Sequence, residues 1–376
     1  MNEIRFTFPL DGDVLTPADG EIKDGKLHIR VSLTAPAHSI VTVNGTQCDL
    51  ISEKDGIGCY EITAVTENYR NTLNARAETA NGILEKAIVV YRFKKAYGKY
   101  RLALDDIIWT MKDLTVNADK YTSLFDSPFF GIFKRLHEDF GTKVQFNIYY
   151  TDIYDKSESP FNLTMVPDKY RDEFIKNSHW MKLTCHAHND TEHIYREAPY
   201  STVYSDFKLV TDELIRIAGK ETVSCTVNGL HYGETNKEGA RALRDFGIKC
   251  LVGYFKLNKE GVPIVSYYLD AQKASHCFDR DFWVDNSEHI VFSKDKMVID
   301  QFKVDAIRDR LDYLKAERQT EMGTLNFVTH EQYFYSHYAH YMPDYEQKIR
   351  TAVAWATENG YEPCFLDDVI TEELPY

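Results

Sequence analysis

Arg101-Leu102-Ala103-Leu104-Asp105-Asp106 is a short apolar run that ends on two adjacent carboxylates, with Ile107-Ile108-Trp109 behind them. A run of that length and composition suits a buried strand. Similar runs follow at 143–149, 181–185, 222–227, 249–252, 290–292, 324–328 and 362–366. Between most of them lie segments of helical spacing. The segment 123–140 places Phe125, Phe129, Ile132, Phe133 and Leu136 on one face, with Gly141 positioned as its C-cap. Helices are also expected over 169–177, 207–218, 238–246, 303–318 and 345–359, and an inserted strand over 263–269. Repeated strand–helix units imply a parallel sheet with right-handed crossovers. No glycine-rich phosphate loop follows the first strand, which counts against a dinucleotide-binding sheet. The expectation is α/β, a (β/α) barrel filling 98–376.

Upstream, residues 1–95 read as strands alone. Runs at 26–33, 39–43, 59–65, 72–78 and 86–93 are separated by Asp11-Gly12, Asp24-Gly25, Asn44-Gly45, Asp55-Gly56 and Asn81-Gly82. Such dipeptides tolerate the positive φ angles of tight hairpins. Short strands with regular turns predict an all-β, immunoglobulin-like sandwich as a first domain.

Composition narrows the classes. The chain has 376 residues, 43% of them hydrophobic, which excludes disorder and suits two domains. A net charge of −14 disfavours nucleic acid as a partner. No window approaches the ~18 apolar residues of a membrane span, and the N-terminus shows no signal-peptide pattern. Seven scattered cysteines without a CxxC favour reduced thiols and a cytoplasmic location. The many aromatics leave a homo-oligomer open.

In a (β/α) barrel the active site collects at the C-terminal ends of the strands. The strand ends here carry Asp105-Asp106, Asn147 with Tyr149-Tyr150, His186 with His188, Asn228 with His231, Tyr254, His330-Glu331 and Asp367-Asp368. Acids and imidazoles at one mouth point to an enzyme. Two adjacent carboxylates are costly to desolvate unless a cation or proton neutralises one, so Asp105 and Asp106 read as a general base and a metal ligand. The stretch Cys185-His186-Ala187-His188-Asn189-Asp190-Thr191-Glu192-His193 offers His186, His188 and His193 as further ligands for a divalent ion. His231, between two glycines, suits a ligand, a proton donor or a loop residue. His330 with Glu331 suits a general acid whose pKa a carboxylate sets. Trp109, Tyr150, His231, Tyr232 and Tyr333 are candidates for contacting a carbohydrate substrate, since sugar rings stack on aromatic faces.

Asp-Asp at one strand end, a histidine cluster at a later one, an aromatic glycine loop and a late histidine together resemble the polysaccharide deacetylases. The resemblance covers roughly residues 98–370 by motif order. It implies a distorted (β/α)7 barrel and a divalent metal ion, zinc with cobalt or nickel as other candidates. It also implies removal of N- or O-acetyl groups from a poly- or oligosaccharide. By position Asp105 would be the base and Asp106 a ligand, with His186 and either His188 or His193 beside it, and His330 the acid. The family's second imidazole, four residues beyond the first, falls on Asp190. Two alternatives stay open: a metal-independent glycoside hydrolase pairing Asp105 or Asp106 with Glu331, and a catalytically idle carbohydrate-binding protein.

Overall fold

The structure, a computed structural model, describes residues 3–370. These residues divide into two compact units, one of 3–97 with Phe282–His289, the other of Gly98–Asp281 with Ile290–Ile370. Among the described residues no helix is long and apolar enough to cross a membrane.

Residues 3–97 of the first unit hold nine strands: β1 (Arg5–Phe8), β2 (Gly20–Lys23), β3 (Lys26–Pro36), β4 (Ile40–Val43), β5 (Thr46–Gln47), β6 (Asp49–Lys54), β7 (Ile57–Thr66), β8 (Arg70–Thr79) and β9 (Gly82–Tyr91). They form two antiparallel sheets, β1-β3-β7-β6 with β2 on β3, and β5-β4-β8-β9. Alternation in β3 buries Leu27, Ile29, Val31, Leu33 and Ala35. These meet Val41, Leu73, Ala75, Ala77 and Val90 of the other sheet in one core. The turn residues Asp24, Asn44 and Asp55 have φ near +50°, each followed by a glycine that is also at positive φ.

The second unit runs β10 (Lys99–Ile107), α1 (Trp109–Val116), α2 (Pro128–Phe140), β11 (Val144–Tyr149), α3 (Arg171–Lys176), β12 (Met181–Ala187), α4 (Tyr200–Ala218), β13 (Val227–Asn228), α5 (Lys237–Phe246) and β14 (Cys250–Gly253). A hairpin of β15 (Lys256–Leu257) and β16 (Pro263–Ile264) and helix α6 (Ala271–Phe278) come next. β17 (Phe282–Asp285) clusters with the first unit, where Trp283 Nε1 donates to the Asp11 carbonyl. The chain returns through β18 (Ile290–Lys294), β19 (Met297–Val298), α7 (Val304–Glu317), β20 (Thr324–His330), α8 (Tyr345–Glu358), β21 (Glu362–Pro363) and α9 (Leu366–Ile370). β11 is buried on both faces, as a helix-covered parallel strand should be.

The expected class, an immunoglobulin-like sandwich followed by a (β/α)7 barrel of the deacetylase type, does not hold. The β-only part is two antiparallel sheets. The parallel strands of the second unit make two separate sheets rather than one barrel. One is ordered β12-β11-β10-β20-β19 with β21 on β10, and the other joins β13, β14 and β18. β12 approaches the second sheet through an isolated bridge, Leu183–Val223. Strands β13 and β19 have two residues each and are too short to carry a closing ladder. The space between is also polar: Arg101, Gln145, Asn147, Asn228, Ser293, Lys296 and Asn326 are buried. A closed barrel packs layers of branched apolar side chains there instead.

Two local expectations change as well. The inferred strand 362–366 stops after two residues, which pair with Lys99 and Tyr100 at the start of β10. Asp367 and Asp368 lie in α9, and Asp367 accepts a hydrogen bond from Ser224 Oγ. They stand apart from the other strand-end acids.

Candidate metal and hydrolytic site

β10 pairs in parallel with β20 so that Asp105 lies opposite His330. On its other side the register against β11 shifts between Leu104 and Ile107. The irregularity puts Asp106 at φ +66°, a conformation that an aspartate seldom adopts without a structural reason. The kink lets two neighbouring carboxylates serve one cavity of about 530 Å³, whose walls include Asp105, Asp106, His186, His231, Asp295 and His330.

Asp106 is the hub. His186 Nε2 lies 3.2 Å and His231 Nδ1 3.7 Å from its Oδ1. Tyr149 OH donates to the same oxygen at 2.5 Å, and Gln332 Nε2 donates to Oδ2 at 3.0 Å. Burial would raise the Asp106 pKa. The hydrogen bond from His186 and the charges of His330, His186 and His231 outweigh it, holding the carboxyl well below its usual range. For His186 burial lowers the pKa, but the carboxylates of Asp105 and Asp106 win and raise it.

Whether these residues fit a metal is a question of donor set and tautomer. One ligand atom each from Asp106, His186 and His231 lies within 4.8 Å of the others. His186 is 2% exposed and His231 7%. His186 Nδ1 sits 2.6 Å from the Gly229 carbonyl, which fixes that nitrogen as the donor and leaves Nε2 free to bind. One carboxylate with two imidazoles and space beside them suits zinc or a related ion. The set fits.

His330 Nδ1 lies 2.7 Å from Asp300 Oδ2. Burial disfavours its charged form, yet the hydrogen bond and charge of Asp300 push its pKa up to about 10. Asp105 accepts a hydrogen bond from the Asn147 amide, whose own oxygen accepts from Gln145 Nε2 at 2.9 Å.

Other inferred residues lie elsewhere. Glu331 does not touch His330. Its carboxylate accepts the backbone N–H groups of Ile108, Trp109 and Thr110 at 2.8, 2.7 and 2.6 Å, capping α1. With both oxygens committed, it is not available to act as a carboxylate catalyst, and burial pushes it up to about 7. His193 pairs with Glu234 on the surface and Arg196 joins them, outside the metal triad. His188 packs against Tyr150 with ring centroids 5.2 Å apart. Neither His188 nor His193 joins Asp106. Tyr232 and Tyr333 line the large cavity, and Trp109 a neighbouring chamber. Tyr150 lines neither of them.

Asp300, Asp295, Gln332 and Tyr338 were missed. Asp295 follows the apolar run 290–292 by only three residues, so reading strand ends slightly further would find it. Burial, with Asp105 nearby, pushes Asp295 up to about 7. No comparable signal marks Asp300, which lies in a 3-10 turn after β19.

No family profile matches the chain, and no curated protein matches it. Among solved structures, a candidate alpha-galactosidase from Bacteroides fragilis is 11% identical, with 96% of this chain and 79% of that one covered and a TM-score of 0.28. The chitinase ChiW from Paenibacillus sp. is 10% identical over 95% and 43% of the two chains, with a TM-score of 0.26. The type III pullulan hydrolase from Thermococcus kodakarensis is 11% identical over 68% and 62%, with a TM-score of 0.23. Scores this low assign neither a fold nor an activity. The expected membership of the polysaccharide deacetylase family does not hold: no family profile matches, and among the described residues the parallel strands fall into two sheets that close no barrel.

Proposed function

We propose that this chain is a hydrolase acting on a carbohydrate, with a divalent cation held by Asp106, His186 and His231. The observation that carries the proposal is the buried triad, with His186 already oriented by Gly229. When bound, such an ion supplies Lewis-acid polarisation of a carbonyl and lowers the pKa of a water. Asp105, held by Asn147, takes a proton from the attacking water. His330, kept protonated by Asp300, gives a proton to the leaving oxygen or nitrogen. Tyr232, Tyr254, Tyr333 and Tyr338 line the cavity and offer aromatic faces to a sugar ring. The chemistry of the triad suits an acyl carbonyl on that sugar.

A second reading has its own observation. Asp105 and Asp295 line the same cavity, and burial pushes the Asp295 pKa up to about 7, as the acid of a two-carboxylate glycosidase requires. Metal analysis of protein purified without an affinity tag, on wild type and His186→Ala, separates the two. About one ion per chain lost in the variant, with acyl release from esterified or N-acylated sugars, supports the first reading. No ion after reconstitution, with aryl glycoside cleavage lost in Asp295→Asn, replaces it with the second.

A further inference from the structure

A chamber of about 350 Å³ opens beside Asp106, walled by Ile108, Trp109, Ile153, Tyr154 and Tyr338. It adjoins the large cavity: Asp106, Tyr154, Asp190, Gln332 and Tyr338 line both. Its walls are mostly apolar, though Asp106, Asp152 and Asp190 also line it. A water takes about 30 Å³ and a methyl group is of similar size, so an acetyl methyl would leave most of the chamber empty. Unfilled apolar space contributes no contact energy, whereas each buried methylene contributes.

We infer that this side chamber receives the acyl chain of the substrate, and that the chain is longer than acetyl. The inference rests on the acyl-hydrolase reading of the triad. In the reaction the oxygen of water bonds to the acyl carbon, the carbon–oxygen or carbon–nitrogen bond breaks, and the departing alcohol or amine takes a proton. The products are the sugar and a free carboxylate.

Two measurements test it on the full chain loaded with zinc or cobalt, with Ile153→Trp and Ile153→Phe as chamber-filling variants. Hydrolysis of 4-nitrophenyl acetate, butanoate and hexanoate gives kcat/KM against chain length. Calorimetric titration of the same loaded protein with methyl, butyl and hexyl glucosides, which carry no acyl bond, gives affinity without acyl turnover. The expected result is a rise in both of about fourfold per methylene, abolished in at least one filling variant that keeps the wild-type circular dichroism and bound-metal content. Hydrolysis that favours acetate, or a chain-length preference that neither variant alters, overturns the inference and leaves the hydrolase reading standing. If no ester is cleaved but hexyl glucoside still binds tighter than methyl only in wild type, the chamber holds apolar chains and the acyl-hydrolase reading fails. Flat responses in both measurements overturn the inference.

Discussion

Asp300 Oδ2 lies 2.7 Å from His330 Nδ1 and 3.2 Å from the His330 backbone N–H, so one buried carboxylate grips both the ring and its main chain. Thr329 Oγ1 donates to the same oxygen at 3.1 Å. The ring is therefore fixed in direction and in charge, while its other nitrogen remains for the cavity.

The charge has a consequence for pH. His330 must be protonated to act as an acid, and its pKa is pushed up to about 10. In wild type the basic limb of the kcat/KM profile is expected to lie high. Asp300→Asn removes the charge that raises the pKa, so that limb moves down towards the ordinary histidine value near 6.5. Below it the variant retains much of its activity. An unchanged basic limb would remove His330 from the acid role.

The metal triad predicts a division among five histidines. His186→Ala and His231→Ala should each lower bound zinc from about one per chain to a small fraction of that, because each removes one of three protein ligands. His188→Ala and His193→Ala should leave it unchanged, and so should His330→Ala. Mass spectrometric metal analysis of the five variants reads this directly. Equal loss in His193→Ala would move the site to the surface cluster with Glu234.

Asp105, Asp106, His186 and His330 come together because parallel strands in register deliver their last residues to one side, and His231 reaches them from the 3-10 turn after β13. Reading strand ends misplaces residues whose direction depends on the loop beyond the final ladder bond. His193, at φ +57°, is turned out to Glu234. Asp367 and Asp368 failed for a different reason: the two-residue β21 pairs at the beginning of β10. Sheet closure was illegible because it depends on ladders between strands far apart in sequence. The apolar runs also did not disclose that Arg101, Gln145 and Asn326 between them point into a polar interior. Glu331 shows the limit of adjacency as evidence. Next to His330 in sequence, it is bound to the start of α1.

That placement gives Glu331 a stability role. Its carboxyl moves from an ordinary 4.5 up to about 7 in the folded chain, chiefly through burial, against the opposing pull of the hydrogen bonds donated to it by α1. The folded state then binds more protons than the unfolded state between those values, so this contribution is fully present below pH 4.5 and lost as pH rises through 7. The loss is on the order of 3 kcal/mol. Glu331→Gln removes this slope but leaves α1 with a poorer acceptor than the carboxylate, costing about 1–3 kcal/mol above pH 7. Urea unfolding at pH 5 and pH 7.5 should show a smaller difference between the two pH values in the variant than in wild type.

A second buried charge lies away from the cavity. Lys294, at the end of β18, donates to Glu321, and both side chains are almost fully buried, at 5% and 1% exposure. Arg318 also donates to Glu321, and the Lys294 ammonium lies 3.6 Å from the Phe278 ring centroid. Removing one partner strands the other charge in a medium that solvates it poorly. Glu321→Ala is therefore expected to cost about 3–5 kcal/mol. Replacing both groups by apolar side chains removes the desolvation cost together with the attraction. Lys294→Met combined with Glu321→Leu should recover most of the loss, with Arg318 still able to reach Asp279. Urea midpoints for the single and double variants decide it: a double variant no more stable than Glu321→Ala would mean that the ion pair itself holds β18 in place.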